Sequence, residues 1–298
     1  MELSNPLQEN KNLRLLKTIP SIKIIEKYKN ELNIDVKRFF NNIDKIHLYK
    51  DITSGYCFYH PFINGDDSFY RELQKFEWYY SSWKWEHQVA KSFIKATDTV
   101  LEIGCATGSF LEVLSRDGIQ SVGLEINKEA IEYAARNNIC VINETIEEHA
   151  IKHKECYDVV CSFQVMEHIP DVYNAIQSSL GCLKKNGTFI ISVPNNNSYL
   201  KKIENVLNYP PHHIGLWNKR ALQNLTEKMN VSGPEFFFEP INNIDFYFRE
   251  IKKIRHEKYG YRLGGIINYF EKVTRKIWYK KFPGFRHDMT IMAIFIKK

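Results

Sequence analysis

From Thr99 to Val193 short β-rich runs alternate with amphipathic helical stretches, and that alternation leaves few folds open. Thr99–Ile103 (TVLEI) predicts a strand, then a glycine-containing turn and a helix from Gly108 to Arg116. Ser121–Glu125 (SVGLE), Ile139–Ile142 and Tyr157–Ser162 (YDVVCS) predict three more strands, with a helix through Lys128–Asn137. A helix at Val172–Leu183 leads through a turn at Lys185-Asn186-Gly187 to a fifth strand, Thr188–Val193 (TFIISV). Strands spaced by helices need crossover connections, so they lie parallel, with helices on both faces of the sheet. Beyond Pro194 a helix is expected at Asn218–Met229, a sixth strand at Glu235–Phe238 and a last one at Met289–Ile296 (MTIMAIFI). Upstream, Ile22, Ile25 and Tyr28 recur between Pro20 and Asn33 at near-helical spacing, which predicts one amphipathic helix. Tyr56 to Trp85 is so dense in aromatic residues that it must pack on the main domain or on a ligand.

Composition serves mainly to exclude. With 44% hydrophobic and 26% charged residues in 298, the chain is neither disordered, collagen-like nor a coiled coil. No run approaches the ~20 apolar residues of a membrane span. The first twenty residues lack the apolar core of a signal peptide, so a cytoplasmic protein is expected. The six cysteines include no C-x-x-C pair and read as reduced thiols, not a zinc knuckle. The net charge of +6 is concentrated: Ile251–Lys281 holds ten Lys/Arg against two acids, which leaves the rest nearly neutral. That is not the footprint of a duplex-binding protein, and no nucleic-acid partner is expected. The surrounding segment, 247–285, interrupts the pattern before the last strand. It reads as a helical insertion with an apolar face (Ile266, Ile267, Phe270, Val273, Ile277) and a basic one. Three readings stand for residues 251–281: a solvated face, peripheral contact with an anionic membrane through Tyr269, Trp278 and Tyr279, or steering of an acidic acceptor.

The turn after the first of the parallel strands is the most informative stretch. Open α/β sheets bind ligands beyond the carboxyl ends of their strands, where strand order reverses. Gly104 lets the backbone turn tightly without a Cβ in the way, and the next helix offers unpaired N–H groups. A dinucleotide fingerprint, G-x-G-x-x-G, fails here because Gly104 and Gly108 are four apart with Cys105 and Ala106 between them. Glu102-Ile103-Gly104-Cys105-Ala106-Thr107-Gly108 instead resembles motif I of the class I S-adenosylmethionine-dependent methyltransferases, acidic-x-G-x-G-x-G. Ala106 stands where many members carry glycine.

The resemblance implies a Rossmann-like, seven-stranded, mostly parallel sheet of order 3-2-1-4-5-7-6, and S-adenosylmethionine as cofactor. It divides the chain into an N-terminal helical, aromatic-rich cap (1–90) and a methyltransferase domain (91–298) that includes the insertion. By the same likeness Glu102, Gly104, Cys105, Ala106 and Gly108 cradle the cofactor. Glu125, closing the second strand, is expected to accept both vicinal ribose hydroxyls. In the loop after the third strand, Glu144 and Thr145 would read adenine, with Ile126 and Ile146 as apolar covers. Ser162-Phe163-Gln164-Val165-Met166-Glu167-His168 is similar to the family's post-strand run, with Phe163 and Gln164 lining the methionine part.

Methyl transfer is an in-line displacement in which alignment supplies much of the catalysis, and a hydroxyl nucleophile also needs a base. His168 follows the fourth strand, beside the expected methyl position. His212 and His213 lie in Tyr209-Pro210-Pro211-His212-His213-Ile214-Gly215-Leu216-Trp217, which resembles a run in methyltransferases encoded near polysaccharide genes. Prolines stiffen such a loop, and neutral imidazoles act as bases near physiological pH. Thr53–Pro61 and the stretch through Trp85-Glu86-His87 resemble the N-terminal part of the same proteins, with Tyr80 and Trp85 as candidate contacts to cofactor or sugar. The activity expected is O-methylation of a small molecule, a sugar or a lipid- or nucleotide-linked glycan. The alternatives are N-methylation of an amine and a non-catalytic module that binds S-adenosylmethionine. No metal is expected. Ubiquinone-pathway O-methyltransferases carry a similar Glu-x-x-Glu-His run, but Gln164 replaces its first acid, and adjacent residues such as His212 and His213 rarely supply converging ligands.

Overall fold

A computed structural model of the chain describes residues 3, 5–7, 12–76, 79, 83–198, 204–240 and 289–298, together with isolated positions between 249 and 267. The amino-terminal part runs β1 (Leu13–Pro20), α1 (Ser21–Leu32), β2 (Lys45–Asp51), β3 (Cys57–His60), α2 (Asp67–Gln74) and α3 (Trp85–Lys91). The alternating part follows as β4 (Thr99–Ile103), α4 (Ser109–Arg116), β5 (Gln120–Leu124), α5 (Lys128–Arg136), β6 (Val141–Ile142) and α6 (Ile146–Lys152). It continues with β7 (Tyr157–Phe163), α7 (Val172–Cys182), β8 (Leu183–Pro194), β9 (Gly215–Leu216), α8 (Lys219–Lys228), β10 (Val231–Phe238) and β11 (Thr290–Lys297).

Seven strands form one sheet in the order β6-β5-β4-β7-β8-β11-β10. Numbered along the chain, these strands give the expected 3-2-1-4-5-7-6. The five strands from β6 to β8 are parallel, and β11 is antiparallel to both its neighbours. Two-residue periodicity sorts side chains onto opposite faces. Leu101, Ile103, Val160 and Ile191 pack with Ile176, Leu180, Leu222 and Leu225 of α7 and α8. Val100, Val159, Cys161 and Ile190 pack with Ala90, Phe110 and Leu114 of α3 and α4. The sheet is thus buried on both sides, as an apolar parallel sheet requires.

Local differences from the expected elements have physical reasons. Lys185-Asn186-Gly187 is not a free turn but a bulge inside β8: pairing jumps from Tyr157↔Leu183 to Val159↔Thr188, and Asn186 absorbs the kink at φ 61°. The third parallel strand, β6, keeps only two residues, and Glu125 lies one residue past the end of β5.

The amino-terminal region departs more from a helical cap. It contains an antiparallel sheet, β1-β2-β3-β9, whose last strand comes from beyond β8 in the chain. Phe58 pairs with Gly215 and Cys57 with Leu216, so the loop carrying the paired histidines is stitched directly to this sheet. Beneath it, Ile24, Tyr28, Ile46, Tyr59, Phe69, Leu73 and Val206 form a separate core. Helix α1 spans the stretch expected between Pro20 and Asn33, ending where Asn33 adopts a left-handed conformation (φ 55°) that closes its C-terminus. Tyr80 and most of the 247–285 insertion lie outside the described residues. Among the described residues, no helix is long and apolar enough to cross a membrane.

Candidate active site

The carboxyl ends of β4, β5, β7 and β8 open into a cavity of about 1740 Å³, whose lining also includes Tyr70, Tyr79, Trp83 and Trp85 of the amino-terminal region. Its first half is built from the β4 turn. Gly104 sits at φ +68°, and a Cβ there would come within 2.5 Å of Val165. Its N–H and that of Cys105 both donate to the Leu124 carbonyl (2.8 and 3.1 Å), which holds the turn against β5. Ala106 takes the next left-handed position at φ 48°. Gly108 caps α4 at φ +78° and is packed behind the wall, where a Cβ would meet Ile139 at 2.7 Å. It shapes the cradle without lining it. Thr107 and Ser109, which the sequence did not single out, line the cavity in its place.

Glu125 has a structural task as well as its place on the cavity wall. One oxygen accepts the Ala106 N–H (2.9 Å), and the other accepts those of Ile126 and Asn127 (2.8 Å each). Charge-assisted bonds of this kind fix the carboxylate between the β4 and β5 turns. Glu102 is the opposite case. It is buried on the cavity wall, its Oε2 has no hydrogen-bond partner among the described residues, and burial, then the Glu125 charge, pushes its carboxyl up to about 8. Two acids side by side, one of them unsatisfied, favour a ligand that brings hydroxyl donors and positive charge.

Around the rest of this half, Ile146 is buried and Ile126 largely exposed, and both line the cavity with Glu144 and Thr145. The side chains of the last two are already engaged. Glu144 meets His149 Nδ1 at 3.0 Å, and Thr145 caps α6 through the Glu148 N–H. Phe163, at the end of β7, packs against His87 and Phe110. Gln164 turns at φ 56° and donates through Nε2 to Ser192 Oγ (3.1 Å). Glu86 of α3 is a site residue that sequence reasoning missed. It is buried on the same wall, and desolvation raises its carboxyl.

The second half of the cavity is made of imidazoles. His168, His212 and His213 come together from the end of β7 and the loop before β9, one ring nitrogen of each lying within 4.8 Å of the others. His212 is pinned at both ends: Nδ1 donates to the Leu207 carbonyl (3.1 Å) and Nε2 accepts from the Tyr79 hydroxyl (2.9 Å). His168 donates through Nδ1 to the His212 carbonyl (2.6 Å), and His213 through Nδ1 to Asn208 Oδ1 (3.2 Å). The Nε2 of each then carries a lone pair. Burial holds all three rings neutral, pushing His168 down to about 4 and the other two well below the usual histidine value. Beside them lies Glu167, buried and without a hydrogen-bond partner for either oxygen among the described residues.

A doubly wound sheet with a glycine turn and acids at adjacent strand ends defines a class of protein that takes a nucleoside-bearing ligand at its switch point. A family model described as a methyltransferase domain matches residues 78–232, just over half of the chain. The chain belongs to that methyltransferase family, and the cofactor that goes with this membership is S-adenosylmethionine. Among curated proteins it resembles the ubiquinone biosynthesis O-methyltransferase of Vibrio cholerae, 36% identical over 109 residues. The counterpart from Serratia proteamaculans is 32% identical over 106. Each match takes in 34% of this chain and 44% of the relative, so the chain spans less than half the length of the curated relatives it matches. Among solved structures, a SAM-dependent methyltransferase from Archaeoglobus fulgidus superposes with a TM-score of 0.51 at 19% identity, over 71% of this chain and 92% of the other. One from Thermotoga maritima gives 0.50 at 16%, over 72% and 87%. These two share the fold.

Proposed function

We propose that the protein transfers a methyl group from S-adenosylmethionine to a hydroxyl of a small molecule or of a sugar, including a lipid- or nucleotide-linked glycan. The observation that carries this reading is the convergence of three neutral imidazoles on the cavity that the β4 turn opens into. The wall residues fit the cofactor. Glu125 and the unsatisfied Glu102 suit hydroxyls and a cationic group, the glycine turn leaves room for close approach, and Phe163 and Ile146 offer apolar faces. When bound, the cofactor supplies a methyl group activated by its sulfonium. The cavity exceeds the ~300–1,000 Å³ of an ordinary ligand pocket, which supports an acceptor beside the donor.

His168 and His213 are the candidate bases, since each keeps an Nε2 lone pair for the acceptor proton. His212, bonded at both nitrogens, holds the other two in place. Tyr70, Tyr79 and Trp85 line the same cavity and supply aromatic side chains suited to a sugar ring. A glycan acceptor is supported by the likeness of the Tyr209–Trp217 run to polysaccharide-linked methyltransferases. The O-methyltransferase names of the curated relatives support oxygen as the target. In this reading the protein works in the cytoplasm, and the basic stretch 251–281 guides an acidic acceptor or rests on an anionic membrane. The test is mass spectrometry of glycan and metabolite pools from cells with and without the protein, followed by transfer of labelled methyl from S-adenosylmethionine to the pool that changes. A donor that binds but never turns over with any fraction would leave only the non-catalytic module.

A further inference from the structure

His149 of α6 is fully buried, yet both its ring nitrogens are bonded. Nδ1 lies 3.0 Å from Glu144 Oε2, and Nε2 lies 2.8 Å from the Tyr157 hydroxyl. A carboxylate only accepts, so Nδ1 carries the proton, and in the neutral ring Nε2 then accepts from Tyr157. Burial pushes the imidazole below its usual value, against the pull of Glu144, and so keeps it neutral. The ring of His153 stacks on it, centroids 3.9 Å apart and 9° from parallel, and donates through its own Nδ1 to the His149 carbonyl (3.1 Å). One neighbour thus fixes the plane of the His149 ring, and two fix its direction.

This ring acts on the loop between β6 and α6, which is tethered residue by residue. Asn143 donates through Nδ2 to the Glu125 carbonyl (3.0 Å), His149 holds Glu144, and Thr145 caps α6 through the Glu148 N–H. Glu144 Oε1 is left over. Its charged neighbour, the exposed Lys152 ammonium, stands 3.9 Å away, beyond hydrogen-bond distance. Glu144 lines the cavity together with Ile126 and Ile146, whose apolar side chains suit a flat base. A pure acceptor beside such a base selects for a donor on its edge, and the exocyclic amino group of adenine is one. We infer that His149 is the positioning residue for recognition of the cofactor's base: by binding Glu144 Oε2 it directs Oε1 to the adenine amino group, with Tyr157 fixing which ring nitrogen donates. A recognition group is precise only when its own rotamer is locked by packing and hydrogen bonds, and this buried chain supplies the lock. A phenylalanine would fill the same space without desolvating two nitrogens; what the imidazole adds is a donor of fixed direction.

The inference rests on S-adenosylmethionine occupying this half of the cavity and is independent of the acceptor. The test is calorimetry on the full-length protein with S-adenosylhomocysteine and S-inosylhomocysteine, which carries a carbonyl oxygen in place of the amino group. Wild type should prefer the adenine form at least tenfold, because the carboxylate then faces an acceptor. Glu144→Gln should reverse that preference: the His149 proton claims the amide oxygen, which leaves the amide N–H groups to face the base. In Glu144→Gln combined with His149→Phe the amide is free to turn, and the preference should fall to within about twofold. His149→Phe alone should lower the wild-type preference at least fivefold, and His149→Asn, which keeps a donor near the place of Nδ1, should restore most of it. A role in packing alone would lower the melting temperature and weaken both ligands equally, so an unchanged preference in His149→Phe would overturn the inference. Equal binding of the two ligands by wild type would overturn it as well and leave the methyl-donor reading standing. Failure to bind S-adenosylhomocysteine at all would take both down.

Discussion

The two halves of the cavity solve the placement of polar groups in opposite ways. In the cofactor half, Glu125 is satisfied by three backbone N–H groups from neighbouring turns, so its position is set by short-range chain geometry. In the histidine half the rings come from segments more than forty residues apart, are fixed through their outer nitrogens, and lie beside a carboxylate with no hydrogen-bond partner among the described residues. The first half is a rigid receptacle for a group common to a whole family. The second is assembled by long-range packing, with Tyr79 and the β3–β9 pairing bracing the loop, and it is the half to which the proposed function assigns the acceptor. Variants should therefore separate the halves, the histidine side moving turnover and the glycine-turn side moving cofactor affinity.

The largest effect is expected from His213→Ala and His168→Ala. Loss of a positioned base costs about 10²–10⁴ in rate, and donor affinity measured by calorimetry should stay within a few-fold of wild type. Full turnover in both single variants would place the base elsewhere. Equal losses of turnover and donor affinity would show that the two halves are not separate. Next comes Glu125→Ala, which should weaken S-adenosylmethionine binding at least tenfold. It should also lower the melting temperature, because three N–H groups, two of them half-buried, lose a charged acceptor. Unchanged affinity with lowered stability would reduce Glu125 to its structural task.

What could be read from the sequence follows the same division. The strands β4, β5, β7 and β8 were legible because each carries its own periodicity, and their order because the glycine turn resembles the motif of a family with that sheet. The place of Glu102, Glu125 and Phe163 on the cavity wall was legible because each stands at or just past the end of such a strand. Gly108 was assigned to the cradle, but its side toward the ligand cannot be told from spacing, and Ile139 occupies the place its Cβ would take. Glu86 and Glu167 went unassigned because a single acid beside a histidine has no signal of burial. Both are buried only through the tertiary packing around the cavity. The antiparallel sheet was missed for a related reason: β1 is exposed along most of its length and β9 has two residues, so neither shows an alternation to read.

A smaller effect tests the electrostatics of the cofactor half. Glu102 is held at about 8, above the ordinary carboxylate value of 4.5, by burial and by the charge of Glu125, with Lys84 opposing. The folded state therefore favours its protonated form. The associated stability is complete below the unfolded value and is lost as pH rises through about 8. Glu102→Gln, which keeps the shape without the proton, should match wild type at pH 4–5 and melt several degrees higher at pH 9 in the absence of cofactor. A gap that does not grow with pH would mean that Glu102 is not strained in this way.

The smallest effect concerns Ala106, which adopts φ 48° where many motif-I turns have glycine. A left-handed alanine costs about 1–2 kcal/mol in the folded state, whereas glycine enlarges the unfolded ensemble by about 0.4–1 kcal/mol. Ala106→Gly should thus stabilise by about 0–1.6 kcal/mol and leave donor affinity intact, since the N–H that Glu125 accepts remains. If the variant instead lost affinity, the methyl group itself would have to be a contact surface for the ligand. The cofactor half would then be tuned by a side chain, as the histidine half is, and the contrast between the two would be one of degree.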